Sequence, residues 1–256
     1  MTENILTINS LTKHFGGITA VNNVDLQILQ GNITAVIGPN GAGKTTLFNI
    51  IAGVIVPDSG SLTFNGKALN GLSPASRSHL GIARTFQQGL LFKDMTVLEN
   101  VVVSRDAYLK SGFLQCGVLW PEIRGEDKKA VREAMHYLEL VGVEDIRNKL
   151  ASDIPLGQQK IVAIARALAV RPKLLLLDEP GAGLNATEKK GLCELIQRIK
   201  SMGITVVLVE HDMSMVMGTS DWVAVLDYGI NIAEGTPAEV QRNKKVIEAY
   251  LGTDEE

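Results

Sequence analysis

The sequence predicts an α/β fold: a mainly parallel sheet flanked by helices, an antiparallel β portion near the N-terminus and an inserted helical segment. Three observations predict it. Short apolar runs alternate with stretches of helical spacing over residues 33–52 and again from residue 161 onward. Residues 5–35 alternate apolar with polar, the pattern of strands with one wetted face. From about Thr96 to Gly142 apolar residues recur at three- and four-residue intervals, which suits helices.

In order along the chain, Ile5, Thr7, Val24, Leu26 and Ile28 mark the first strands, and Gln30-Gly31-Asn32 a turn. Ile33–Ile37 is a strand, a Gly-rich loop follows, and Lys44–Ala52 is a helix. Pro57-Asp58-Ser59-Gly60 makes a turn, Ser61–Phe64 a strand and Asn65-Gly66 another turn. In the helical segment Val97, Val131, Met135 and Leu138 carry the period. Ser111–Pro121 holds two glycines and is expected to be an irregular connection. The mixed charges of Glu126–Glu133 are expected on a solvated helix face. The α/β pattern then resumes. Helices are predicted at Gln159–Ala169, Thr187–Met202, Met213–Met217 and Pro237–Leu251, and strands at Leu174–Leu177, Ile204–Val209 and Trp222–Asp227. The acidic end Asp254–Glu256 is expected to fray.

Composition narrows the function classes. The chain has 256 residues, long enough for a large core. A net charge of -3, from 25 Lys+Arg and 28 Asp+Glu, excludes a broadly basic nucleic-acid binder. Cys116 and Cys193 are too few for a disulfide framework, so a reducing compartment is expected. The apolar runs are strand-length, far short of the roughly 20 residues of a spanning helix. The first ten residues lack a basic and then apolar leader pattern. The expectation is a cytosolic protein, or one held at a membrane by a partner.

Gly38-Pro39-Asn40-Gly41-Ala42-Gly43-Lys44-Thr45 fits the phosphate-loop pattern G-x-x-x-x-G-K-[ST]. Glycines let backbone N–H groups wrap phosphate oxygens, and the helix that starts here adds its positive end. Lys44 can reach the β- and γ-phosphates, and the Thr45 hydroxyl can ligate Mg²⁺. Thr46 continues the same turn and completes the expected nucleotide contacts. Leu174-Leu175-Leu176-Leu177-Asp178-Glu179 supplies the second half of the site. Four leucines suit a strand buried on both faces, and Asp178 emerges at its C-terminal end, where ligands of open α/β sheets bind. Asp178 would hold Mg²⁺ through water, and Glu179 would face the attacking water as general base.

With these motifs the chain resembles the ATP-binding subunit of ABC transporters, nearly end to end. The resemblance implies that the fold is an ABC nucleotide-binding domain with a P-loop core. It assigns Gln87, in Ala83-Arg84-Thr85-Phe86-Gln87, to the glutamine that bridges the Mg²⁺ site and the membrane partner. It assigns His211, in Glu210-His211-Asp212, to the switch histidine at the γ-phosphate, and Phe15 to the aromatic position that stacks on adenine. Gly183-Leu184-Asn185 resembles the D-loop, with Asn185 replacing the usual aspartate. The implied organisation is one domain over 1–256. Its nucleotide-binding core is 1–90 and 160–240, its helical subdomain 91–159 and its C-terminal helix and tail 241–256.

The signature departs from the family. Where Leu-Ser-Gly-Gly-Gln is usual, this chain has Ile154-Pro155-Leu156-Gly157-Gln158. Gly157 and Gln158 remain as expected contacts to the nucleotide of an opposing subunit. Pro155 removes a hydroxyl and an N–H, and Leu156 would be strained in a left-handed backbone. The departure points to a heterodimer with a second ATPase subunit whose signature is sound; the alternative is that backbone contacts suffice and both sites work. Three further segments narrow the resemblance to importers of branched-chain or other hydrophobic amino acids: Ile82–Gln87 followed by Leu91–Asn100, with the insertion at Trp120-Pro121, Glu210–Gly218, and Val246–Gly252. That family implies ATP and Mg²⁺ as cofactors and two membrane permease subunits. It also implies an extracytoplasmic binding protein acting indirectly, and a peripheral place on the cytoplasmic membrane face. Importers of urea or amides, a lipopolysaccharide-type exporter and a soluble non-transport ABC ATPase are the alternatives.

Overall fold

The computed structural model describes residues 3–85, 91–106 and 121–251. The chain divides into two compact units, residues 1–84 with 173–256, and residues 85–172.

The first unit contains two sheets. β1 (Asn4–Phe15) and β2 (Ile18–Leu29) form a long antiparallel hairpin that β4 (Ser59–Phe64) and β5 (Lys67–Ala68) extend in the order β2-β1-β4-β5. Alternation buries Ile8, Leu11, Val24, Leu26 and Ile28. The second sheet has the order β10-β9-β3-β8-β7-β6. Its strands are β3 (Ile33–Ile37), β6 (Ile82–Arg84), β7 (Leu174–Asp178), β8 (Thr205–Val209), β9 (Trp222–Asp227) and β10 (Ile230–Gly235). All neighbours in it are parallel except β9 and β10. β3, β7 and β8 are buried along their whole length, which explains their mostly apolar composition, with Thr34, Asp178 and Thr205 the buried polar members.

Helix α1 (Lys44–Ala52) lies in the core with both sheets, where Leu47, Phe48 and Ile51 meet Leu6, Phe64, Leu176 and Val209 in one cluster. Helices α2 (Pro74–Leu80), α6 (Ala186–Ser201), α7 (Met213–Thr219), α8 (Pro237–Gln241) and α9 (Lys244–Leu251) complete this unit. Asn185 and Glu188 form a reciprocal capping box at the start of α6.

Several elements differ from the sequence expectation. β4 begins at Ser59 because Gly60, at φ 88°, makes a bulge against β1, where a Cβ would lie 2.5 Å from the Ser10 carbonyl oxygen. The predicted C-terminal helix over 237–251 is two helices. The first ends at Gln241 with Arg242 as its cap, and Asn243 starts the second by accepting the Lys245 N–H of its first turn at 3.0 Å. The sequence reading missed α2, β6 and β10. β6 is only three residues long, too short to show a period, and β10 follows β9 through Tyr228-Gly229, both at positive φ as in a tight hairpin.

α2 contributes the main buried cation of this unit. Arg77 donates to the carbonyls of Ile50 at 2.5 Å and Ile51 at 2.9 Å, and to Leu69 and Leu72 at 2.9 and 3.2 Å. The first two are carbonyls of the last turn of α1, where Ile50 already accepts the Gly53 N–H at 3.1 Å, so the guanidinium adds donors to the negative end of that helix. Burial pushes its pKa down, yet arginine stays charged in proteins.

The second unit packs α3 (Val97–Asp106), α4 (Pro121–Val141) and α5 (Leu156–Leu168) around Val97, Val101, Ala134, Leu138 and Val162. Buried Asn100 clamps the preceding turn, accepting from the Phe92 N–H at 2.7 Å and donating to the Phe92 and Thr96 carbonyls at 3.0 Å. Within the expected solvated stretch Glu126–Glu133, Lys128, Lys129 and Arg132 are exposed. Glu133 instead pairs with Arg171 at 2.8 Å, because the approach of the chain beyond α5 covers it. The expected connection over 111–120, with Cys116, lies outside the described residues. Among the described residues no helix is long and apolar enough to cross a membrane.

Arg77→Ala would take the guanidinium donor from the Ile51 and Leu72 carbonyls, while Ile50 and Leu69 would keep their backbone donors, Gly53 and Leu72. The expected loss of stability is about 3 kcal/mol, from the cost of orphaned acceptors. Urea unfolding followed by circular dichroism would measure it, with Arg77→Lys expected to lose less.

Candidate nucleotide site

The loop between β3 and α1 is built by backbone that lies directly on other backbone. Gly38 sits at φ 150°, and a Cβ there would stand 2.0 Å from the Leu226 carbonyl oxygen of β9. Gly43, at φ 97°, caps α1, and a Cβ there would stand 2.2 Å from the Ala20 carbonyl oxygen of β2. Only glycine fits either place. The turn Tyr228-Gly229 fastens the loop from outside. Gly229 N–H donates to the Ala42 carbonyl at 3.1 Å, and Asn22 N–H donates to the Gly229 carbonyl at 2.8 Å.

A cleft of about 210 Å³ opens over this loop, lined by Ala20, Asn40 to Thr46, Glu179 and His211. Lys44 is buried and its Nζ donates to the carbonyls of Gly38 and Pro39, both at 2.8 Å. Burial pulls the Lys44 ammonium below the usual lysine range, while the Glu179 charge pulls it back up. A phosphate would restore a full countercharge beside this cation.

Two of the sequence-predicted catalytic groups meet at the rim. Glu179 follows β7 with φ 47°, a left-handed conformation uncommon for a side chain with a Cβ. Its N–H donates to the Val209 carbonyl at 3.0 Å. Its Oε1 lies 2.9 Å from His211 Nε2. A carboxylate only accepts, so Nε2 carries the hydrogen in that contact. Asp212, next in the chain, caps α7 by accepting from the Ser214 N–H at 2.9 Å and pairs with Lys189 at 2.5 Å. The Lys189 ammonium, with help from Ser214, holds the Asp212 carboxyl far below the usual carboxylate range.

Asp178 is buried at the end of β7 and takes the Arg84 guanidinium at 2.7 Å. Arg84 also donates to Asn49 Oδ1 of α1 at 2.6 Å, bridging helix and strand. The Asp178 side chain therefore carries a resident cation in this conformation, which the sequence reading did not foresee. Thr45 lines the cleft and Gln87 lies outside the described residues. Phe15 ends β1, is 47% exposed and does not line the cleft. Lys13 Nζ stands 5.5 Å from its ring centroid.

The expected signature lies in the other unit. Helix α5 begins at Leu156, not at Gln159, with Pro155 as its cap at φ -58°. Leu156 is an ordinary helical residue, so the anticipated left-handed strain is absent: proline's fixed φ suits a helix entry, and no glycine conformation is needed. Gly157 and Gln158 lie in the first turn of α5.

The loop motif was legible from its residues, but Arg84 and Glu210 were not given roles. Glu210 is the buried acid between β8 and His211. A carboxylate immediately after a wholly apolar strand is the signal that could have found it.

A glycine-built phosphate cradle at the C-terminal edge of a mainly parallel sheet, with an acid–imidazole pair at its rim, defines a P-loop nucleoside triphosphatase. The family described as ABC transporter matches residues 21–182, and the chain belongs to that family. Its members are ATP-binding cassettes, ATPases coupled to transport. A second family, described as branched-chain amino acid ATP-binding cassette transporter, matches residues 231–256. The high-affinity branched-chain amino acid transport ATP-binding protein LivG of Salmonella typhimurium is 42% identical over 253 residues, covering 98% of this chain and 99% of that protein. BraF of Pseudomonas aeruginosa, described in the same words, is 41% identical with the same coverage. The crystal structure of a nucleotide-free ATP-binding cassette from an ABC transporter superposes with a TM-score of 0.86 at 32% identity, over 98% of this chain and all of that one.

Gly43→Ala is expected to weaken ATP binding about 5- to 150-fold, since about 1–3 kcal/mol of backbone strain would fall on the cradle. Titration with a fluorescent ATP analogue would measure it.

Proposed function

We propose that this chain is the ATP-hydrolysing subunit of a membrane importer for branched-chain amino acids. The hydrolytic reading is carried by the Glu179–His211 contact of 2.9 Å at the rim of the glycine cradle. The cargo reading rests on the similarity to LivG and BraF along nearly the whole chain and on the family match at 231–256.

In this reading Gly38 to Thr46 wrap the phosphates and Lys44 neutralises the β- and γ-phosphates. Phe15 offers adenine an exposed phenyl face, loose in base selectivity because it donates no hydrogen bond. Glu179 takes the proton of the attacking water, and His211 holds Glu179 and the γ-phosphate in register. The donors suit Mg²⁺: a threonine hydroxyl and a carboxylate are hard oxygen ligands, and this ion is commonly shared between one or two carboxylates and substrate phosphates. Thr45, Asp178 and Gln87 would hold it, and it would neutralise charge developing on the phosphates. Asp178 would exchange Arg84 for the hydrated ion.

The chain would act in a dimer, its cradle closed by the signature of a second ATPase subunit. Pro155 offers a partner's phosphate neither hydroxyl nor N–H, so a heterodimer with one weaker site is the organisation we favour. Gly157, Gln158 and the N-terminal end of α5 remain to meet that phosphate. Two permease subunits would receive the motion, through the helical unit and Gln87. The cytoplasmic membrane face is the natural place for such a subunit, and a binding protein outside would deliver the cargo. In domain terms, residues 1–90 and 160–240 would be the nucleotide-binding core, 91–159 the helical subdomain, and 241–256 a C-terminal helix and tail.

Glu179→Gln is expected to lower kcat for ATP hydrolysis at least about 100-fold, the usual worth of a general base, with ATP still bound. A phosphate-release assay beside a binding titration tests this, and an unchanged rate would refute the hydrolytic reading. In cells with Lys44→Ala as the only copy, uptake of labelled leucine, isoleucine and valine should be lost while proline and urea uptake persists. Unchanged uptake, with confirmed expression, would reject the cargo and leave the ATPase assignment standing.

A further inference from the structure

We infer that Glu210 is a positioning residue for hydrolysis, its buried carboxylate tying the turn that carries Glu179 to the turn that carries His211. The inference rests on the roles proposed for those two residues. Glu210 is 3% exposed. Its Oε1 accepts the Gly181 N–H at 2.6 Å, and its Oε2 accepts the His211 N–H at 3.1 Å. Gly181 stands two residues beyond Glu179, and His211 follows Glu210 directly. One carboxylate thus holds the backbone on both sides of the Glu179–His211 contact.

Three further observations give the tie its direction. A Cβ on Gly181 would lie 2.9 Å from Glu210 Oε1 and 2.9 Å from Met215 Sδ, so the turn after Glu179 is glycine where the carboxylate must approach. Glu179 itself is left-handed and is fastened by its N–H to Val209, the residue before Glu210. Such a conformation persists only where neighbouring structure over-determines it. On the far side of His211, Asp212 is fixed by its cap to α7 and by Lys189. The imidazole therefore projects from a segment anchored at both flanking side chains. Its partner oxygen projects from a turn anchored to the same carboxylate.

The chemistry requires an acid here and not merely a polar side chain. A carboxylate can accept on both oxygens at once, whereas an amide accepts on one and presents N–H to the other donor. Reaction geometry tolerates displacements of only a fraction of an ångström, so loosening this tie should act on the chemical step and not on nucleotide affinity.

The test is steady-state ATP hydrolysis with Mg²⁺ by the full-length chain assembled with its second ATPase subunit and permease subunits, comparing wild type, Glu210→Gln, His211→Ala and the double variant in this chain. Glu210→Gln should lower kcat about ten- to hundredfold, the range for a lost hydrogen bond to a charged group, with KM for ATP within about threefold. In the His211→Ala background the same change should cost less than about threefold, because its target is already gone. Wild-type kcat in Glu210→Gln, or a full additive loss in the double variant, would overturn the inference. A failure of the underlying reading is seen separately, as hydrolysis by Glu179→Gln at the wild-type rate. Should Glu210→Gln not fold, amide hydrogen exchange of the wild-type protein decides. Protection of both the Gly181 and His211 amides by more than about 100-fold supports the tie, and exchange of either at open-loop rates overturns it.

Discussion

Backbone resting on backbone around residues 38–43 is the constraint on which the rest depends. The loop lies against the Leu226 carbonyl on one side and the Ala20 carbonyl on the other, at distances no side chain would survive. Those carbonyls belong to β9 and β2, members of different sheets. The loop is thus the place where the antiparallel ribbon and the parallel sheet are held together, and the common core of Leu6, Phe48, Phe64 and Leu176 lies with it. The phosphate cradle needs no separate scaffold, because the contacts that shape it also join the sheets. The Tyr228-Gly229 turn acts in the same way, giving its N–H to Ala42 and its carbonyl to Asn22.

Charge is distributed by the same economy. Lys44 is folded onto the carbonyls of its own loop, and its burial makes the free ammonium unfavourable enough that a phosphate is the natural partner. Asp178 is neutralised by Arg84 and Asp212 by Lys189, so the carboxylates flanking the cleft each have a cation. Removing one partner of a buried pair strands the other, which makes the Arg84–Asp178 contact a structural element as well as an electrostatic one. Glu179 differs, meeting an imidazole at the open rim where a water and a phosphate could reach both.

The helical unit solves its packing independently. Asn100 clamps the turn before α3, and Thr96 and Glu99 cap that helix reciprocally, with Thr96 N–H to Glu99 Oε2 at 2.7 Å. Pro155 then starts α5 without a side-chain cap. The altered signature is therefore a chemical change, the loss of a hydroxyl and an N–H, on an ordinary backbone. That distinction keeps the heterodimer proposal on its proper ground.

By itself the sequence determined what contiguous residues can state. The glycines and lysine of 38–45, the apolar strand ending at Asp178 and Glu179, and the spacing of His211 after another apolar run carry their chemistry in local order, because a loop and a strand end are local objects. The major strands were legible for the same reason: β3, β7 and β8 are buried along their whole length and are mostly apolar. Only the tertiary structure decided which distant groups meet. Arg77 reaching the end of α1, Arg84 reaching Asp178 and Glu210 receiving Gly181 span 26 to 94 residues. No period or motif encodes such a partner. A buried charge announces only that it must be satisfied, and the folded chain determines by what.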